Sequence, residues 1–492
     1  MIAFEHASFT YGAPPGLGRA DVEDVTLSVR DGEVVVLCGR SGCGKSTLLR
    51  LANGLAPRFF PGRKSGSVAL DGTGVDELAT WEIAQRAGSL FQNPRTQFFN
   101  VDSTGEVAFA LESAGWREDK IRSRVGETFD ELGISSLADR SIFELSGGER
   151  QKIAFASIWA LRPTNLLLDE PTSNLDLPSI DDMARLVRHA KERGCAVLVA
   201  EHRLSWLSDV ADRYVYLDGG RVQRSMEAAE FLSLDAREVE LMGLRAREAG
   251  GMVIPPDARD DAPRTGPPLL AAHGLSLSRG SVPVLRDADI ELDGGEVVAL
   301  VGRNGAGKTT LCRSLCGFER KAEGVVAVDG AKATRRERTR ISSMVFQDVN
   351  YQLFAESVAS EVTFGLPTRR ARDVDVSRLL FNLGLGGLDD RHPATLSGGQ
   401  KQRLAVAACV AADKRVLVFD EPTSGLDLDG MRRVARLLKA LAQQGRAILV
   451  ATHDLELIAC ACTRCLYLEG GVVLPVPAEQ GELGRLVHVG RT

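Results

Sequence analysis

Nowhere does the sequence run apolar for the roughly 18–20 residues that a bilayer-crossing helix needs. Its longest apolar stretches, Leu404 to Ala412 and Ala447 to Ala451, are the length of core segments. The opening MIAFEHASFTYG has neither the basic nor the apolar region of a secretory signal. The expectation is a cytosolic protein that reaches a membrane only through a partner. No excess of positive charge exists either: 60 Lys and Arg against 66 Asp and Glu give a net charge of −6. That balance excludes a global basic field for nucleic acid. Nine cysteines, an odd number scattered over 492 residues, make no disulfide framework. Three of them cluster, Cys460, Cys462 and Cys465. A soft-metal or redox site there competes with a plainer reading, small half-buried residues at a helix-to-strand junction. The matching Asp209, Ala211 and Tyr214 lend the metal no support.

At 492 residues the chain is longer than one hydrophobic core usually supports. It also repeats itself. VVVLCGRSGCGKSTLLRLANGL returns as VVALVGRNGAGKTTLCRSLCGF, FELSGGERQKIAFAS as ATLSGGQKQRLAVAA, and NLLLDEPTSNLDL as VLVFDEPTSGLDL. The offset is 308 − 45 = 263 early and 420 − 169 = 251 late, so the halves differ by small loop deletions. The expected organisation is a first domain over 1–225, a linker over 226–268 and a second domain over 269–492. The linker opens with a helical-looking stretch and turns to PPDARDDAPRTGPP, rich in proline and unpaired charge. Each half alternates β-branched apolar runs with longer helical patterns, which predicts an α/β core with a mainly parallel sheet. From Gln92 to Ser146 the pattern turns helical, which predicts an inserted α-helical subdomain.

Gly39 to Ser46 and Gly302 to Thr309 both fit G-x-x-x-x-G-K-[ST], each after an apolar strand pattern and before a helix-forming run. Glycines let backbone N–H groups close around phosphate oxygens at a helix N-terminus. Lys45 and Lys308 would neutralise phosphate, and Ser46 and Thr309 would offer hydroxyls to Mg²⁺. The candidate nucleotide-binding residues are therefore Gly39, Ser41, Gly42, Cys43, Gly44, Lys45, Ser46 and Thr47. Their counterparts are Gly302, Asn304, Gly305, Ala306, Gly307, Lys308, Thr309 and Thr310. Asp169 and Asp420 end apolar strands, placed to hold Mg²⁺ through its water shell. Glu170 and Glu421 follow them and could polarise an attacking water.

Ser146-Gly147-Gly148 and Ser397-Gly398-Gly399 each open a helix, a second anion-binding terminus able to grip a γ-phosphate. Ser146 with Glu149 is also a capping-box pattern. With this motif the chain resembles the ATP-binding-cassette (ABC) family over nearly its whole length. The resemblance implies two P-loop domains, each a RecA-like mainly parallel sheet with an antiparallel β subdomain and a helical insertion. It makes Gln92 and Gln347 the Q-loop glutamines, which sense the γ-phosphate and Mg²⁺. Residues Ser173 to Asp176 and Ser424 to Asp427 become D-loops. His202 and His453, each 33 residues beyond the strand-end aspartate, become the switch histidines. It further implies that the halves pair head to tail around two ATP molecules. One site would join Lys45, Asp169, Glu170 and His202 to Ser397 and Gly399. The other would join Lys308, Asp420, Glu421 and His453 to Ser146 and Gly148. Tyr11 matches the family's adenine-stacking aromatic, but Arg279 stands at the aligned position, so the second site is expected to hold ATP more weakly.

The stretches FQNPRTQFFNVDSTGEVAFAL and FQDVNYQLFAESVASEVTFGL resemble a segment of the ATPases of energy-coupling-factor (ECF, cobalt-type) importers, which take up vitamins or metal ions. The resemblance implies a peripheral subunit at the cytoplasmic face of the membrane. Its partners would be a transmembrane coupling subunit and a substrate-binding membrane subunit, with no nucleic acid. Phe91, Phe98, Phe99, Phe346, Leu353 and Phe354 would be apolar docking anchors beside a short helix. A tandem sugar-type importer ATPase and a ribosome-associated ABC protein are the competing classes.

Overall fold

The computed structural model describes residues 1–12, 21–93, 96–173, 175–246 and 266–476. The chain divides into two compact units, Met1–Arg247 and Glu248–Thr492.

In the first unit a six-stranded sheet runs in the order Arg221–Glu227, Arg213–Asp218, Val34–Gly39, Ala196–Ala200, Asn165–Asp169, Ala87–Leu90. All neighbours are parallel except the outermost pair, Arg213–Asp218 with Arg221–Glu227. A separate antiparallel sheet comprises Val22–Val29, Ile2–Tyr11, Gly62–Leu70 and Thr73–Gly74. The second unit repeats both sheets, with Val297–Val301 at the place of Val34–Gly39 and Val416–Asp420 at the place of Asn165–Asp169.

Continuous apolar runs suit strands covered on both faces. In VVVLCG every residue is buried, and the period of two sorts them. Val34, Val36 and Cys38 face the helical side with Phe155 and Met183, whereas Val35 and Leu37 join Ile2, Phe4 and Leu48. Val297, Ala299 and Val301 against Val298 and Leu300 repeat this division in the second unit.

The helical insertions differ. The first holds helices Ser103–Ser113 and Glu118–Glu131. The second breaks into Val358–Thr363, Thr368–Asp373 and Val376–Asn382. Gly365, with φ of 73°, and Pro367, which lacks an N–H, stop the first of these where the other unit continues.

The first unit does not end at 225. That residue lies inside the strand Arg221–Glu227, and the chain continues into helices Ala228–Ser233 and Ala236–Leu241. Met226, Phe231, Leu234, Val239 and Leu244 are buried in its core, and Phe231 stacks on Tyr214 with centroids 4.0 Å apart. The helical reading of this stretch agrees with the structure, but its assignment to the linker misses the apolar face that fastens it. The proline-rich part of the expected linker, 247–265, lies outside the described residues, as do 477–492. Phe231→Ala is expected to destabilise the first unit by about 3–5 kcal/mol, the usual result of emptying a packed aromatic site. Thermal unfolding of the full chain measures this as a selective fall of one transition.

Cys462 and Cys465 are core residues of the second unit, and Cys460 is exposed. Among the described residues no helix is long and apolar enough to cross a membrane. Likewise no group of three or more His, Cys, Asp or Glu side chains there forms a metal cage.

Candidate active site

Each strand Val34–Gly39 and Val297–Val301 leads into a loop that opens a helix, Lys45–Ala52 or Lys308–Leu315. Gly39 and Gly302 have φ of 149° and 151°, and a Cβ on either would collide with the carbonyl of Leu217 or Leu468. Only glycine permits that approach. Gly44 and Gly307 then enter the helix at φ of 105°. The loop curls around its own lysine: Lys45 Nζ donates to the carbonyls of Gly39 (2.9 Å) and Arg40 (3.3 Å). Lys308 Nζ does the same toward Gly302 (2.5 Å) and Arg303 (3.1 Å). Both lysines are buried. Ser41 and Gly42 lie exposed on the first loop while Cys43 is buried; Asn304, Gly305 and Ala306 occupy the matching turn of the second.

Ser46 Oγ donates to Asp169 Oδ1 at 2.9 Å, and Thr309 Oγ1 to Asp420 Oδ2 at 2.6 Å. The next residue in each unit is backbone-strained: Glu170 and Glu421 have φ of 45° and 53°. Each is held there by its N–H, which donates to Ala200 O or Ala451 O at 2.8 Å. A left-handed glutamate at the same place in both units points to function. Glu170 Oε2 accepts from Gln92 Nε2 at 2.7 Å, and His202 Nε2 lies 3.5 Å from Oε1. In the second unit His453 Nε2 lies 3.7 Å from Glu421 Oε1 and accepts from Lys308 Nζ at 2.9 Å. Loss of hydration, then the charges of Asp169 and Glu201, push the Glu170 carboxyl up to about 8 against the pull of Lys45 and Gln92. Loss of hydration also raises Asp169 and Asp420.

In the second unit the phosphate loop, Gln347, Asp420, Glu421 and Arg279 line one cavity of about 250 Å³. Arg279 is paired there with Glu319 at 2.9 Å. Tyr11 is tied differently. Its hydroxyl lies 3.3 Å from Thr47 Oγ1 and accepts from Arg50 Nη1 at 3.0 Å. Phe9 packs edge-on against its ring.

Ser146 and Ser397 cap helices Gly147–Trp159 and Gly398–Ala411, each in a reciprocal capping box with Glu149 or Gln400. Gly148 sits against Ser179, where a Cβ would collide. Asp176 and Asp427 cap the helices that follow their turns. Asn174, within the expected D-loop, lies outside the described residues.

The six expected docking anchors divide. Phe98, Phe346 and Leu353 pack against the cores, while Phe91, Phe99 and Phe354 are exposed, Phe99 by 74% and Phe354 by 68%. Two residues not singled out from sequence fix the backbone at the exposed pair. Buried Glu106 accepts from the N–H of Phe99 (2.9 Å) and Asn100 (2.8 Å); Glu361 accepts from Phe354 (2.7 Å) and Ala355 (2.6 Å). Gln97 and Gln352 clamp the same loops to the sheet through Ser89 O and Met344 O. The signal was available in the repeated glutamine and glutamate of the two segments. The expected short helix is, in the second unit, a single 3-10 turn at Val349–Tyr351; Pro94 and Arg95 of the first lie outside the described residues.

Two parallel-sheet domains, each with a lysine-filled glycine loop facing an Asp-Glu strand end, define a P-loop nucleoside-triphosphatase. The model of the ABC transporter family matches residues 22–173 and 285–424. The chain is 41% identical over 479 residues to a candidate ABC transporter ATP-binding protein of Treponema denticola, covering 96% of each. A candidate HMP/thiamine import ATP-binding protein of Bacillus subtilis is 31% identical, over 93% of this chain and 88% of the relative. Among solved structures, one of ribosome-bound archaeal Pelota and ABCE1 superposes with a TM-score of 0.68 at 26% identity, covering 98% of this chain and 80% of that one. An RNase-L inhibitor, at 24% identity and a TM-score of 0.63 over 99% and 93%, shares the fold. The chain belongs to the ABC transporter family: it is a tandem ATP-binding protein and an ATPase.

Proposed function

We propose that this chain is the ATP-hydrolysing motor of an ECF-type importer, a peripheral subunit at the cytoplasmic face that drives uptake of a vitamin or metal ion. The observation that carries this reading is a pair of exposed phenylalanines. Phe99 and Phe354 are exposed at matching places, each on a loop whose backbone a buried glutamate fixes, and each beside a second aromatic, Phe109 at 4.8 Å and Phe364 at 6.3 Å between centroids, which widens the apolar patch. Apolar rings left in water at matching places suit a partner's helix. The likeness to the candidate HMP/thiamine import ATP-binding protein of Bacillus subtilis supports a vitamin-like cargo.

In this reading Glu170 and Glu421 orient the attacking water, His202 and His453 face the transferring phosphoryl group, and Gln92 and Gln347 link that chemistry to the partner. Ser46, Asp169, Thr309 and Asp420 supply hard oxygen donors that suit Mg²⁺, and the first unit's crowded carboxylates, Asp169, Glu170 and Glu201, favour a cation beside them. Bound Mg²⁺ would neutralise phosphate charge. The family resemblance supports two sites shared between the domains, each joining one phosphate loop to the other domain's serine-glycine turn.

A second reading, a ribosome-associated role, is favoured by the likeness to the ribosome-bound protein. Affinity capture of the full chain from membranes separates the two. A polytopic membrane protein is expected with the wild type and is lost, roughly tenfold or more, from Phe99→Ser/Phe354→Ser at unchanged melting temperature, because hot-spot aromatics carry about 2 kcal/mol or more. Recovery of ribosomal proteins, or capture indifferent to both substitutions, sinks the importer reading.

A further inference from the structure

The two units tie the same turn with carboxylates from opposite sides of the histidine. In the first unit the tie comes from Glu201, the residue before His202. Its Oε2 accepts from Thr172 Oγ1 at 2.6 Å, and its Oε1 accepts from the N–H of His202 (2.7 Å) and Arg203 (3.1 Å). In the second unit Thr452 precedes the histidine, and Asp454, the residue after His453, accepts from Thr423 Oγ1 at 2.6 Å. The other Asp454 oxygen accepts from Leu457 N–H at 3.2 Å. All four partners are buried: both threonines fully, both acids 2% exposed. A carboxylate so far from water persists only where its bonds offset the lost hydration. The units reach one O···O contact by two chemical routes, so the contact matters and the position of the acid does not. It joins the turn after Glu170 or Glu421 to the strand end bearing the histidine.

We propose that Glu201 is a positioning residue of the first site, holding the turn after Glu170 and the backbone of His202 in fixed relation, as Asp454 ties the turn after Glu421 to the residue that follows His453. The inference rests on the reading that Glu170 and His202 serve hydrolysis.

The test is single-turnover ATP hydrolysis by the full chain, in wild-type and Glu421→Gln backgrounds, with half-saturation and melting temperature measured alongside. Glu201→Thr is expected to slow the hydrolytic step roughly 10- to 100-fold, the scale of a small misplacement, with half-saturation within about twofold. Adding Arg203→Asp rebuilds the Thr-His-Asp order of the second unit and is expected to restore most of the rate. Thr172→Val, close in shape but without the donor, is expected to slow hydrolysis similarly and to gain nothing from Arg203→Asp. A parent rate in Thr172→Val or Glu201→Thr overturns the proposal, as does a folded Glu201→Thr/Arg203→Asp chain as slow as Glu201→Thr. If Glu201→Thr does not fold, Thr172→Val decides alone. A parent rate in Glu170→Gln and His202→Ala would instead overturn the site reading beneath it.

Discussion

Replacing both Glu170 and Glu421 with glutamine is expected to lower ATP turnover by roughly 10²–10⁴ while nucleotide still binds, because a positioned base is worth that much. Glutamine keeps the length and the left-handed backbone, since the N–H bonds to Ala200 O and Ala451 O do not involve the side chain. What is lost is the oxygen able to take a proton or orient a water. The Gln92 amide, now donating to Glu170 Oε2, can still donate to the new amide oxygen, so folding is not expected to suffer. Each single substitution traps ATP at its own site and lets the two affinities be compared. Arg279, held by Glu319 where the first unit has Tyr11 stiffened by Arg50 and Thr47, is expected to leave the second site about three- to tenfold weaker, the worth of a stacking contact. Steady-state phosphate release and equilibrium binding of labelled ATP check both parts. Turnover unchanged in the double variant would remove these glutamates from the chemistry.

The second large effect concerns how the sites are shared. If each phosphate loop is completed by the other domain's serine-glycine turn, Lys45→Ala and Ser397→Arg damage one site, whereas Lys45→Ala and Ser146→Arg damage both. The first pair is then expected to retain one bound nucleotide per chain, the second none. The physical basis is that Lys45 and Lys308 supply the buried positive charge of their loops, while an arginine at Ser146 or Ser397 obstructs the helix N-terminus. Counting bound ATP by equilibrium dialysis distinguishes the pairings, and equal stoichiometry in the two variants would discard the shared-site reading.

The phosphate loops, the strand-end acids and the serine-capped helices were legible because each is local. A glycine at φ near 150° or 105°, a lysine six residues from the carbonyl it meets, and a serine three residues from the N–H it caps leave short fixed spacings in the text. The repeat strengthened every one of them. The docking anchors were only half legible. Phe98 and Phe99 are neighbours of the same type, and opposite sides of one loop send the first into the core and the second into water.

Sequence by itself determined the α/β class, the two phosphate loops and the family, since backbone sterics and short-range spacing set them. Tertiary structure alone decided that residues 226–244 close the first unit, because burial of Met226 and Phe231 depends on a surface that hydrophobicity does not announce. It alone decided which acid reaches the turn behind each histidine. Thr172 and Glu201 are 29 residues apart, Thr423 and Asp454 are 31, and a contact across that span is made by the packing of neighbouring strands and carries no spacing of its own.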